Sequence, residues 1–228
     1  MIFNKPHFRI MGDQALLAEW GDEINPLVNQ AVRELFFSLD SQAIQGIKEL
    51  IPGYCSLLIQ YDPLLISLPK LQETVIHSTR KSQASNFTES PTHKIPVIYG
   101  GSYGPDLHWV ADYHDLTIQD VIRLHTDPVY QVYMIGFTPG FPYLGELPDA
   151  IATPRKEIPR TQVLRGSVGI AQKQTGIYPN DSPGGWQILG WTPIRLFDPF
   201  RNPPCLLNMG DPVQFVSVTE EEMQQWVL

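Results

Sequence analysis

The chain has very little cysteine, little positive charge and no long apolar run, and each shortage excludes a class of protein. Cys55 and Cys205 stand far apart and form no C-x-x-C or other ligand spacing, so no disulfide framework and no cysteine-held metal is expected. Two reduced thiols fit a reducing compartment, and a bacterial-type cytoplasm is the expected location. Sixteen Lys and Arg face 24 Asp and Glu, a formal net charge of −8. Nucleic acid needs a basic face and anionic membranes repel such a chain, so neither is an expected partner. No stretch approaches the roughly 18 apolar residues of a membrane helix. The opening MIFNKPHFRIMGDQALLAEW lacks the apolar core of a signal peptide. Walker A, G-x-G-x-x-G and H-E-x-x-H motifs are all missing. Arg165-Gly166-Ser167-Val168-Gly169 resembles a nucleophile elbow only loosely and reads as a strand-edge turn. The six histidines show no ligand pairing, so no metal is expected in this chain.

What is present is enough for two cores: 228 residues, 43% apolar and 18% charged. Residues 1–80 read as a small α+β sandwich. Strands over Phe8–Met11 and Ala15–Trp20 flank Gly12-Asp13, and Asn25-Pro26 opens a helix with an N-cap followed by proline. In that helix Leu27, Val28, Ala31, Val32, Leu35, Phe36 and Leu39 follow the 3.6 period. Strands over Ile47–Ile51 and Tyr54–Tyr61 come next, then a helix over Pro69–Arg80 with Leu71, Val75 and Ile76 on one side. The pattern ββαββα places both helices on one sheet face. Residues 81–93, polar and without period, read as a linker; the Asn86-Phe87-Thr88 sequon within them carries no meaning in a cytosolic chain.

From 94 to 228 the composition shifts to short apolar segments between Gly and Pro turns. A strand over Ile95–Tyr99 and helices over Asp106–Tyr113 and Thr117–His125 open the region. Strands then follow over Val129–Phe137, Val163–Leu164, Ser167–Ala171, Gly185–Leu189, Ile194–Phe197 and Pro212–Val216. That spacing points to a closed barrel or a sandwich, with prolines at loops, edges and corners.

Three constellations carry chemistry. Met134–Glu146 (MIGFTPGFPYLGE) presents Phe137, Phe141 and Tyr143 between stiffening residues such as Pro139. Its rings either line a ligand pocket or docking surface, or close the barrel core. Between Ile151 and Gly176, Arg155, Lys156, Arg160, Arg165 and Lys173 face one acid, Glu157. They form either a carboxylate- or phosphate-binding cluster or a solvated loop. Gln174, Tyr178 and Trp186 add hydrogen-bonding groups among turn residues. His125 ends a helix, where a lone histidine either satisfies free carbonyls or performs catalysis.

Together these segments resemble a known family. Gly104-Pro105-Asp106-Leu107, Tyr130 through Gly145 (YQVYMIGFTPGFPYLG), Ala152-Thr153-Pro154-Arg155, Gly166 through Ala171, Gln174 through Pro179, Pro183 through Trp186 and Gly190 through Asp198 occur in order. They resemble the family of the 5-oxoprolinase B-subunit, of the carboxyltransferase subdomain C and D type, also labelled allophanate hydrolase subunit 1 or sporulation kinase A inhibitor. The resemblance implies a cyclophilin-like C-terminal barrel after the α+β domain. It implies a larger homologous-fold partner, of the 5-oxoprolinase C-subunit type, and a lactam-hydrolase subunit. The activity implied is ATP-dependent opening of 5-oxoproline to glutamate, with ATP shared with or bound by those partners. Arg155, Arg160, Gln174, Tyr178 and Trp186 then become expected substrate contacts, and His125 and Tyr133 expected catalytic groups. One branch inhibits a sensor histidine kinase, which would dock on Phe137, Pro139, Phe141 and Tyr143. Biotin is not expected, and a cyclophilin-like fold does not bring prolyl isomerase activity with it. Gln172-Lys173 stands where the family usually has Gly-Asn, which adds a charge beside the expected pocket.

Overall fold

The computed structural model describes residues 1–82 and 91–226. It divides into two compact units, Met1–Glu89 and Ser90–Leu228. Most of the expected linker, with its sequon, lies outside the described residues.

In the first unit β1 (Ile2–Ile10), β2 (Ala15–Gly21), β3 (Ile47–Pro52) and β4 (Ser56–Tyr61) form an antiparallel sheet in the order β1-β2-β4-β3. Residues Leu16, Ala18 and Trp20 of β2 and Leu57, Ile59 and Tyr61 of β4 are buried, the period-2 signature of a sheet covered on one face. The cover is α1 (Pro26–Gln42), which packs on β2, β3, β4 and on α2 (Leu68–Ser82). Val28, Val32, Leu35 and Leu39 form its buried stripe. Leu27, expected on that stripe, is 70% exposed because one residue's step rotates it about 100° off Val28. Ile76 departs from the Leu71 and Val75 face for the same reason. The Asn25 side chain accepts from Leu27 N at 2.9 Å, the cap the sequence foretold. Asn25→Ala is expected to cost about 1 kcal/mol, read as a lower urea midpoint at unchanged slope.

The second unit is a closed barrel. Its strands are β5 (His93–Tyr99), β6 (Tyr130–Ile135), β7 (Pro142–Gly145), β9 (Ser167–Ala171), β10 (Gln174–Ile177), β12 (Gln187–Trp191) and β13 (Pro212–Ser217). They close in the order β10-β7-β6-β13-β5-β12-β9, and β8 (Arg160–Val163) pairs with β11 (Ser182–Gly184) as a separate ribbon. The helices are α3 (Leu107–Tyr113), α4 (Ile118–Thr126), capped by Thr117 as expected, and α5 (Glu220–Met223). Val97, Val132, Leu144, Ile170, Leu189 and Phe215 belong to one continuous core.

The expected strands and proline positions need correction at several points, among them β7 and β11, which fall in segments read as loop and turn. Segment Gln174–Ile177, read as turn and pocket residues, is strand β10, joined to β9 through Gln172-Lys173 with Gln172 at φ 53°. A glycine, the residue expected there from the resemblance, would meet that left-handed backbone without strain. Segment Ile194–Phe197 is not a strand: only Phe197 bridges to Cys205 before the Asp198 carboxylate accepts from Phe200 N and turns the chain. Pro96 lies inside β5, against the rule for central strands. It is tolerated because the β5–β12 ladder begins only at Ile98, leaving one side of the strand unpaired at Pro96. No helix among the described residues is long and apolar enough to cross a membrane.

Candidate functional site

The connection between β6 and β7 is stiff by construction. Phe141 N donates to Thr138 O at 3.1 Å around Pro139 and Gly140, and Gly140 has φ +82°, the geometry of a type II turn. Gly136 N donates to Phe141 O at 3.1 Å and Thr138 N to Gly136 O at 2.7 Å, closing the loop on itself. Between these bonds Phe137 is held at φ +63°, a strained conformation for a bulky residue, with its ring 63% exposed.

Beside this loop lies a cavity of about 240 Å³. Phe137, Phe141, Tyr143, Tyr178 and Trp186 give its aromatic wall, and Arg155 its charge. Pro159, Pro183, Gly184 and Gly185 complete the lining. The rings meet mostly edge to face: Phe141 lies 5.1 Å from Tyr178 at 87° and 5.4 Å from Trp186 at 86°. Offset and edge contacts of this kind hold each ring in place. The sequence left open whether these aromatics line a pocket or close a core, and they do both. Phe141, Tyr178 and Trp186 are buried in a small cluster with Val163 and Ile188, while Phe137 stands at the rim. Of the three rings offered for kinase docking, Phe141 is 1% exposed and Tyr143 half-buried, so only Phe137 is a surface ring.

Arg155 is exposed on the segment between the Thr153–Gln172 bridge and β8. Burial raises the Tyr143 hydroxyl pKa, with Arg155 pulling the other way, and burial takes Tyr178 to about 12. Both phenols are therefore neutral hydrogen-bonding groups at ordinary pH. One guanidinium, two phenols and flat apolar walls suit a small planar ligand carrying a carboxylate.

The remaining expected residues lie elsewhere. Arg160 is not in the cavity lining: its Nη2 donates to Asp106 Oδ1 at 2.7 Å and its Nη1 to Trp186 O at 3.4 Å. Lys173, the added charge, pairs at 2.7 Å with Asp149. Gln174 is buried on β10, and Pro139 is exposed at the turn, neither of them lining the cavity. Tyr133 is 2% exposed, its ring against Gly145, and burial followed by Glu146 takes its hydroxyl to about 12.

His125 is buried completely, and both ring nitrogens are engaged, Nδ1 with Tyr99 Oη at 2.6 Å and Nε2 with Thr175 Oγ1 at 2.7 Å. Thr175 donates its one hydroxyl proton to Gly169 O at 3.1 Å. Its oxygen therefore accepts from Nε2–H, and Nδ1 accepts from Tyr99, an assignment made from the hydrogen-bond network. The expected catalytic histidine is a neutral bridge inside the barrel. Asp106, which the sequence marked only as a helix start, proves to pair with two cations of the cluster, Lys156 and Arg160.

Fold and cavity define the class: a two-unit α+β protein whose second unit is a closed seven-stranded barrel with an arginine-edged aromatic cavity. The chain belongs to the family described as carboxyltransferase domain, subdomain C and D, which matches residues 6–207. It is 41% identical to the 5-oxoprolinase B-subunit of Bacillus subtilis (strain 168) over 222 residues, 93% of this chain and 92% of that one. It is 43% identical to the 5-oxoprolinase B-subunit of Haemophilus influenzae over 192 residues, 84% of this chain and 89% of that one. Among solved structures, TTHA0988 superposes with a TM-score of 0.80 at 35% identity. That match covers 90% of this chain but only 40% of the TTHA0988 chain. The family anticipated from the ordered motifs is the family found.

Proposed function

We propose that this chain is one subunit of a heteromeric, ATP-dependent 5-oxoprolinase and that its barrel cavity receives the cyclic carboxylate substrate. The partners in this reading are a larger homologous-fold subunit and a lactam-hydrolase subunit. The observation that carries it is Arg155 at the edge of a ring-lined cavity, in a chain 41–43% identical to proteins named as the B-subunit of 5-oxoprolinase. A five-membered lactam offers a flat apolar ring to Phe141, Tyr143 and Trp186, a carboxylate to Arg155 and a carbonyl to a phenol. In TTHA0988 the matched region is 40% of a longer chain, which favours the reading that this unit works beside further polypeptide.

This cavity is small for a nucleoside triphosphate. About 240 Å³ is below the roughly 300–1,000 Å³ of drug-sized sites. One arginine does not cradle three phosphates. In this reading ATP acts at the partner subunits, and this chain's residues bind and orient the lactam.

The test is 5-oxoproline-dependent ATP hydrolysis by the chain assembled with both partners. Arg155→Ala is expected to raise KM for 5-oxoproline about tenfold or more, the loss of one charge-assisted contact. Unchanged kinetics would remove Arg155 from the site, and no activity in the wild-type assembly would reject the reading.

A further inference from the structure

Asp106 occupies the N-cap position of α3, yet its side chain makes no capping bond there. It turns instead toward the chain segment that carries Arg155. At 4% exposure its carboxylate accepts from Ile188 N at 2.6 Å through Oδ2, and from Lys156 Nζ at 3.1 Å and Arg160 Nη2 at 2.7 Å through Oδ1. Its own N–H donates to Ile188 O at 3.0 Å, so the residue is fastened to β12 from both ends. A buried carboxylate with three donors, two of them cationic, is a strong local anchor.

Both cations lead to the cavity wall. Lys156 N donates to Gly185 O at 2.8 Å, and Arg160 pairs with Gly184 across the β8–β11 ribbon while its guanidinium reaches Trp186 O. Gly184, Gly185 and Trp186 all line the cavity, and Asp106 does not. Two of the three cations of the Arg155-Lys156…Arg160 segment are thus drawn inward, one on each side of Glu157-Ile158-Pro159. The third, Arg155, is left facing the cavity. Burial disfavours the charge on Asp106, but the Arg160, Ile188 and Lys156 contacts outweigh it and keep the carboxyl below its usual range.

We infer that Asp106 is the positioning residue of the cavity: by binding Lys156 and Arg160 it fixes the segment that aims Arg155 at the ligand carboxylate. This rests on the reading of the cavity as a carboxylate site, and the experiment separates the two. The full chain is titrated with 5-oxoproline and with 2-pyrrolidinone, the same lactam without the carboxylate, each followed by NMR shifts of the Trp186 indole. Wild-type protein is expected to prefer 5-oxoproline. Asp106→Asn is expected to narrow that preference about tenfold, with 2-pyrrolidinone binding unchanged.

Equal weakening of both ligands would show general loss of the pocket and overturn the inference, as would an unchanged preference. Should Asp106→Asn not fold, Lys156→Met decides. It leaves the Arg160 contact in place, so a smaller loss confined to 5-oxoproline supports the role and an unaltered preference rejects it. A wild-type chain without the preference would instead defeat the cavity reading itself.

Discussion

Gly166→Ala is expected to destabilise the barrel unit by about 3 kcal/mol or more, read as a lower urea midpoint for that unit's transition. Gly166 has φ +86°, where an L side chain is strained. An added Cβ would also lie well inside contact distance of the Thr192 carbonyl oxygen and 2.6 Å from Trp191 Nε1. Neither neighbour is free to move. Thr192 N donates to Gly166 O at 2.9 Å, and Trp191 Nε1 donates to Arg165 O at 2.8 Å. Strain and overpacking each cost of order 1–3 kcal/mol, and here they fall on one atom. A variant within about 1 kcal/mol of wild type would show that this turn relaxes, contrary to the bonds that hold it.

The second large effect concerns pH. Burial takes the His125 imidazole down to about 3, so it stays neutral in the folded barrel while an unfolded chain protonates it below the ordinary value near 6.5. The folded pKa is depressed, so the unfolded state binds the extra proton. Stability is therefore complete above about pH 6.5 and is lost as pH falls toward 3, at a little over 1 kcal/mol per pH unit. Asp106 acts in the same direction at lower pH, because its folded pKa also lies below the usual value. Replacing His125 with glutamine is expected to cost roughly 2–4 kcal/mol at neutral pH. It breaks the Tyr99–His125–Thr175 bridge and the 4.5 Å stacking on Phe215. The variant is also expected to show a shallower stability slope between pH 6.5 and 4. Equal acid slopes in the two proteins would mean that His125 is not the neutral bridge described above.

Much of the fold could be read in advance because local rules agreed with the tertiary outcome. The Asn25-Pro26 start of α1, the Thr117 cap of α4 and the strand Ser167–Ala171 depend on backbone chemistry within a few residues. The barrel strands β7 and β10 were harder to see. Each has only four residues, and their Pro, Gly and polar side chains carry no period-2 pattern; each follows its hairpin partner, β6 or β9, closely in sequence, but their pairing with one another joins segments some thirty residues apart.

The candidate site divides along the same line. The order of residues marked the Phe137–Tyr143 loop, the Arg155–Arg160 segment and Tyr178 with Trp186 as separate candidate constellations, each open to a plain structural reading, whereas their meeting around one cavity is a tertiary result. Which cation faces the cavity was decided only in three dimensions. Arg155 and Arg160 look equivalent along the chain, each following a proline. What distinguishes them is a buried carboxylate some fifty residues upstream, which pairs with Arg160 and leaves Arg155 at the cavity. The same holds for His125, whose neutrality comes from complete burial against Tyr99 and Thr175. Charge and burial at one side chain are set by everything packed around it, and most of those partners are distant in sequence.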